Sequence, residues 1–146
     1  MEKFDSLFGS RLNELMVVQG KTSADVAAAI GVHVTTVRRW QRNSKCIKLC
    51  SLLNLADYFQ CSLDFLAGRS EKELDYTPHP CPPFYQRLRE VMEEKHVTRY
   101  KMAKKSKIKD SYFTTWSKGA DPQLHSLVEA ANYLNVSIDY LVGRDR

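Results

Sequence analysis

Apolar residues recur at helical spacing along almost the whole chain, and the same succession occurs twice. Phe8, Leu12, Leu15 and Met16 fall on one face of a first predicted helix, and Phe84, Leu88, Val91 and Met92 repeat that face later in the chain. Thr22 followed by Asp25 has the form of a capping box, which predicts a second helix through Val26, Ala27 and Ile30 with Gly31 as its stop. Thr98 opens the matching helix through Met102 and Ala103. A third helix turns Val37 and Trp40 inward in the first succession and Phe113 and Trp116 in the second, with Asn43 and Gly119 as stops that tolerate a left-handed backbone. Leu49, Leu52, Leu53, Ala56 and Phe59 mark a fourth helix, mirrored by Leu124, Leu127, Val128, Ala131 and Leu134. A short fifth helix starts at Ser62 or Ser137, both natural N-caps, and ends at Gly68 or Gly143.

The two successions align residue by residue. Phe8 to Lys45 pairs with Phe84 to Asp121, and after skipping Cys46, Ile47 to Arg69 pairs with Pro122 to Arg144; 18 of the 61 pairs are identical, far above chance. The identities include Arg11/Arg87, Thr22/Thr98, Trp40/Trp116, Ser62/Ser137, Asp64/Asp139 and Gly68/Gly143. A period this long exceeds solenoid repeats and matches a small autonomous domain. The expected fold is therefore all-α, with two tandem five-helix domains at residues 1–70 and 84–146 and a joint at 71–83. Prolines at 78, 80, 82 and 83 exclude a regular element there and suggest a semi-rigid linker. Fully extended, the stretch from Ser70 to Pro83 would reach about 43 Å.

Charge refines this picture. The net charge is +5, distributed as +3 over residues 1–70, −2 over 71–83 and +4 over 84–146. Both repeats are basic and the joint is not, which suits attraction to phosphates. With no run of 18 apolar residues and no charged-then-apolar leader, a soluble, cytoplasmic protein is expected. Cys46, Cys50, Cys61 and Cys81 include no C-x2-C pair, so reduced thiols are favoured over a metal site or disulfides, and no cofactor is implied. Cys61 aligns with Val136, which makes it a small apolar filler ahead of the last helix.

The stretch from Thr22 to Trp40 carries the functional signal. A small Ala27 lets two helices cross closely, Gly31 supplies the turn, and Val26, Ile30, Val37 and Trp40 hold the pair to the core. This segment resembles the Cro-type phage repressor family, the xenobiotic-response-element (XRE) helix-turn-helix regulators. The resemblance extends to Leu55-Ala56-Asp57-Tyr58-Phe59 and to Ser62-Leu63-Asp64-Phe65-Leu66-Ala67-Gly68, and it returns in Trp116-Ser117-Lys118-Gly119 and Val136-Ser137-Ile138-Asp139-Tyr140-Leu141-Val142-Gly143. It implies two lambda-repressor-like domains. The second departs from the pattern: Lys107 stands where the first has Gly31, with an expected backbone strain of about 1 kcal/mol or more, and Ser106 replaces Ile30, which predicts looser packing. Ser23 and Arg99 occupy a helix start where the family often has Gln.

The resemblance implies that the third helix of each repeat enters the major groove of duplex DNA while the preceding helix lies along the backbone. Val34, Thr35, Thr36, Arg38 and Arg39 are then the outward residues of the first repeat. Arg39 is the candidate for a bidentate guanine contact and Thr35 or Val34 for a thymine methyl. Arg38 and Arg42 are assigned to phosphates, with Ser23 donating from the start of helix two. Outside such a motif the same arginines would read as solvent-facing charge. His33, near the helix cap, reads as a satisfied surface histidine rather than a phosphate contact. The second repeat presents Lys109, Asp110, Ser111, Tyr112, Thr114 and Thr115, a less basic set, with Asp110 either capping the helix or accepting from cytosine. Arg99, Lys101, Lys104, Lys105 and Lys118 surround it as phosphate contacts or as a solubilising face.

A sequence-specific transcriptional regulator of prophage or mobile-element type is the function expected, acting without cofactor and without a membrane. Half-sites about 34 Å apart would suit two heads on one chain. Phe65 and Tyr140 leave open docking between repeats, a homodimer, or a place at the core rim. The rival is a protein-interaction module, an antirepressor, antitoxin or conjugation regulator, in which the second repeat binds a protein. An enzyme is not expected, because no phosphate loop, nucleophile elbow or metal-binding pair is present, and Glu14 and Glu90 fall on first helices where surface placement is expected.

Overall fold

The structure is a computed structural model that describes residues 2–42 and 47–145. Its described residues form helices and no strand: α1 (Glu2–Gln19), α2 (Ser23–Ile30), α3 (Val34–Gln41), α4 (Leu49–Phe59), α5 (Leu63–Leu66), α6 (Phe84–Glu94), α7 (Arg99–Lys105), α8 (Asp110–Ser117), α9 (Leu124–Leu134) and α10 (Ile138–Val142). They divide into two compact units, Met1–Asp75 with α1 to α5 and Tyr76–Arg146 with α6 to α10. The break falls inside the stretch expected to be a joint. Asn43 and Cys46 lie outside the described residues.

In the first unit Phe8, Leu12, Leu15 and Met16 of α1, Val26 and Ala27 of α2, and Val37 and Trp40 of α3 are all buried; α1 packs on α3 and α5, and α2 on α3 and α4. Leu55 is fully buried where the spacing favoured Leu53, which is half-buried. The α4 face is rotated by part of a turn from the expected one. In the second unit Leu124, Leu127, Val128, Ala131 and Leu134 are all buried as expected, with Ala130 added to them. Cys61 is fully buried, as an apolar filler should be.

The caps explain where helices begin. Thr22 N–H donates to the Asp25 carboxylate at 3.0 Å and Asp25 N–H donates to the Thr22 hydroxyl at 3.1 Å, so two backbone donors at the start of α2 are satisfied reciprocally. The bond from the Thr22 backbone, then that from its side chain, hold the Asp25 carboxyl below the usual carboxylate range. A carboxyl with a depressed folded-state value stabilises above its unfolded value of about 3.9 and loses that contribution as pH falls. Thr22→Ala is expected to lower the stability of the first unit by about 1 kcal/mol in urea titration at neutral pH, with a smaller difference in acid. Ser62 and Ser137 cap α5 and α10 by accepting from Phe65 N–H and Tyr140 N–H, each at 3.0 Å.

The turn between α2 and α3 uses Gly31 at φ +87°, a left-handed conformation that disfavours side chains. The corresponding turn of the second unit is built differently, and the strain expected at Lys107 does not arise, because Lys107 is not left-handed. The α7 helix ends at Lys105 and Ser106 is extended. Its hydroxyl donates to Met102 C=O at 2.7 Å and accepts from Ile108 N–H at 3.1 Å, while Lys107 N–H donates to the Glu129 carboxylate at 3.1 Å. Ser106 is therefore a cap rather than a loosened core position. The apolar contact moves to Ile108, which is buried, whereas the aligned Val32 is half-buried.

Several charged residues belong to the interior, where the sequence pattern does not place them. Arg11 donates to Phe65 C=O and Ser70 C=O at 3.0 Å each and covers the Phe65 ring; Arg87 donates to Tyr140 C=O from two nitrogens and covers the Tyr140 ring. Phe65 and Tyr140 thus sit at the rim of their cores beneath an arginine. Arg69 pairs with Asp64, and Arg144 pairs with Asp139 at 3.0 Å.

The joint is not a free spacer. Ser62 N–H donates to Glu73 C=O and the Ser62 hydroxyl to Lys72 C=O, which with the Arg11 bonds ties residues 70–73 to the first unit. On the other side, His79 N–H donates to Arg144 C=O at 2.9 Å, and Pro82 lies where a Cβ on Gly143 would meet it at 2.8 Å. Pro82 thus packs on the second unit while Pro78, Pro80 and Pro83 are exposed, and the bonds at residues 70–73 and at His79 shorten the part of the joint that could extend.

Candidate nucleic-acid interface

On α3, burial of Val37 and Trp40 leaves the opposite face to solvent. Thr35, Arg38, Arg39 and Arg42 are exposed; Val34 and Thr36 are half-buried. None of the three arginines forms an ion pair among the described residues. His33 is the N-cap: its Nδ1 accepts from Thr35 N–H at 3.3 Å and lies 2.9 Å from the Thr35 hydroxyl. The histidine is thus satisfied locally, and the Thr35 methyl rather than its hydroxyl is the group left for an apolar contact.

A polar ladder fixes the pitch of this helix. The Ser23 hydroxyl donates to Gln41 Oε1 at 2.7 Å, Gln41 Nε2 donates to Asn13 Oδ1 at 2.7 Å, and Asn13 Nδ2 donates to Gln41 C=O at 3.3 Å. The start of α2, the end of α3 and the middle of α1 are thereby linked. Ser23, at a helix start, is expected on a phosphate; the structure gives its hydroxyl proton to Gln41 instead. Nothing in the sequence singles out Gln41 and Asn13, and their distance along the chain explains why.

The second unit presents a different edge. On α8, Phe113 and Trp116 are buried, Asp110, Ser111, Thr114 and Thr115 are exposed, and Tyr112 is half-buried against Trp116 with ring centroids 5.9 Å apart. Asp110 does not cap the helix; Lys109 holds the N-cap position without a side-chain bond. Asp110 instead receives Arg99. Arg99 Nε lies 2.8 Å from Asp110 Oδ1, and its NH2 group reaches Asp110 Oδ2 at 3.3 Å, Asp110 C=O at 3.1 Å and the Thr114 hydroxyl at 2.7 Å. One guanidinium therefore engages both Asp110 and Thr114 and lies over the Phe113 ring. The Thr115 hydroxyl donates to Ser111 C=O at 3.0 Å. Lys118, at the C-cap, is exposed.

The two third helices therefore differ in electrostatics more than in shape. Among the described residues α3 offers cations without an ion-pair partner, and α8 offers an acid neutralised by the cation beside it. Exposed guanidiniums on a rigid helix can approach phosphate or the guanine edge as planar forks, and a closed Arg–Asp pair cannot without opening.

Among the described residues no helix is long and apolar enough to cross a membrane. No curated protein and no solved structure matches the chain. Residues 12–66, which run from α1 to the end of α5, match the family described as Helix-turn-helix, of the XRE type, whose members are DNA-binding transcription regulators.

Proposed function

We propose that the chain is a sequence-specific, double-stranded DNA-binding transcriptional regulator, a repressor of prophage or mobile-element type working in the cytoplasm without a cofactor. In this proposal α3 of the first unit enters the major groove, and the second unit is a second copy of the same domain whose α8 is a weaker reading edge. The family match over residues 12–66 supports the first part. The 18 identities in 61 aligned positions support the second, as do the five helices of each unit.

The observation that carries the proposal is the division of α3 into a buried face, Val37 and Trp40, and an exposed one bearing Arg38 and Arg39 and followed by Arg42 at the C-cap. Arg39 is assigned to a guanine edge, Arg38 and Arg42 to phosphates, and Thr35 and Val34 to a thymine methyl. Selecting bound duplexes from random DNA with the full chain tests it. Enrichment of a defined sequence is the expected result; recovery no better than background would overturn it.

A second reading, in which the second unit captures a protein, is favoured by the Arg99–Asp110 closure of α8. Expressing residues 1–75 and 76–146 separately discriminates: a second unit inert on all DNA but able to bind an antirepressor-like partner supports this reading over the first.

A further inference from the structure

The basic charge of the second unit lies ahead of its third helix rather than on it. On α7, Met102 is buried and Ala103 half-buried, while Tyr100, Lys101, Lys104 and Lys105 are exposed; Lys107 and Lys109 follow, exposed, in the turn. Five lysines thus fall within nine residues, and none has an ion-pair partner among the described residues. Lys104 Nζ has a neutral partner, the Tyr100 hydroxyl at 3.4 Å. Glu129, the acid close to the turn, takes the Lys107 backbone N–H. The aligned positions of the first unit, Asp25, Ala28, Ala29, Gly31 and His33, hold no lysine. Conversely, Arg38 and Arg39 of α3 align with Thr114 and Thr115 of α8.

Like charges four apart on one helix face repel, so Lys101 and Lys105 oppose each other, although Lys104 and Lys105 gain from the helix dipole in the last turn of α7. A polyanion would relieve that repulsion. Lys101 and Lys105 are separated by about 6 Å along the axis, close to two nucleotide steps on one strand at about 3.4 Å of axial rise each. Lysine presents a mobile point charge suited to phosphate, without the planar fork that reads guanine. Arg99, from the first turn of α7, is bonded to Asp110 and Thr114 and so couples this helix to α8 while withdrawing both groups from base contact.

We infer that the second unit holds duplex DNA through the lysine face of α7, formed by Lys101, Lys104 and Lys105 and continued by Lys107 and Lys109, as a sequence-independent clamp on backbone phosphates rather than as a second base reader. The inference rests on the proposal that the chain binds DNA but replaces the weaker reading given there to α8: it assigns sequence discrimination to α3 and much of the salt-dependent attraction to α7.

The test compares the full chain with the K101Q/K104Q/K105Q variant on a duplex selected by the wild type and on a scrambled duplex of equal length, each over a series of salt concentrations. The slope of log affinity against log salt is expected to fall by about 0.9 for each phosphate no longer neutralised, so by up to about 2.7 for three. Affinity should fall by the same factor on both duplexes, leaving their ratio unchanged, and replacing the three lysines by arginine should retain the slope. An unchanged slope with the selected duplex still bound would overturn the inference while leaving the DNA-binding proposal standing. So would a loss confined to the selected duplex, or a variant that loses nothing but capture of a partner polypeptide. A wild-type chain that binds neither duplex would overturn both.

Discussion

Asp139→Ala is expected to destabilise the second unit by about 3–5 kcal/mol, because it leaves the Arg144 guanidinium buried without its carboxylate. Both side chains are only 2% exposed, and Arg144 NH1 lies 3.0 Å from Asp139 Oδ1. The backbone binds the same two positions together: Arg144 N–H donates to Asp139 C=O at 2.8 Å, in the turn that Gly143 makes possible with φ +89°. Small domains have total stabilities of about 5–15 kcal/mol, so a loss of this size would bring the unit close to unfolding at room temperature. Urea titration followed by the fluorescence of Trp116, in a Trp40→Phe background that leaves one indole, would measure it. A loss below about 1 kcal/mol in that titration would show that the pair is solvated rather than buried. Replacing both partners by apolar residues of similar volume should recover most of the stability, since the penalty comes from an uncompensated charge. Asp64→Ala in the first unit should cost less, because the Arg69 side chain is 23% exposed and can turn toward water.

That pair shows which features the chain displays openly and which it hides. Helix faces were legible because the 3.6-residue period places Phe8, Leu12, Leu15 and Met16, or Leu124, Leu127, Val128 and Ala131, on one side wherever the helix lies. Caps at Thr22, Ser62, Thr98 and Ser137 were legible because their partners are three residues away. The turn after α7 was not, since its solution combines the Ser106 hydroxyl with a carboxylate 22 residues distant at Glu129. Arg11 and Arg87 stood out as an identical pair, yet composition reads an arginine as surface charge; their burial depends on carbonyls of Phe65 and Tyr140 that only the fold brings near. The joint was legible only in part. Its prolines forbid a helix but say nothing about the long-range partners, Ser62 and Arg144, that hold the flanking backbone.

The candidate site divides along the same line. The exposed edge of α3 followed directly from Val37 and Trp40, whereas the role of Arg99 depended on Asp110, eleven residues away across a turn. The sequence groups Arg99 with the lysines around the third helix as a phosphate contact or a solubilising face, and does not show the acid and hydroxyl, Asp110 and Thr114, to which the structure bonds it. The consequence is functional: aligned residues on α3 and α8 share a geometry and not a charge state.

Arg39→Ala is expected to weaken binding to the selected duplex by about 1–3 kcal/mol, or roughly 5- to 150-fold, and to weaken binding to a scrambled duplex much less. Arg39 is exposed on a helix whose packing is supplied by Val37 and Trp40, so its removal should leave the thermal midpoint nearly unchanged and the loss can be assigned to the complex. Arg39→Lys should not restore the preference, because an ammonium lacks the two parallel donors that match the guanine edge. Arg42→Ala provides the contrast: removing a phosphate-binding guanidinium there lowers affinity equally on both duplexes and reduces the salt slope by about 0.9. Thr115→Ala, at the position of α8 aligned with Arg39, should change neither quantity, since its hydroxyl already bonds to Ser111 C=O. If Arg39→Ala weakens both duplexes by the same factor, Arg39 belongs with Arg42 on the backbone. Base discrimination by α3 would then rest on the Thr35 methyl and on half-buried Val34, whose apolar contacts distinguish thymine from the other bases but cannot select guanine.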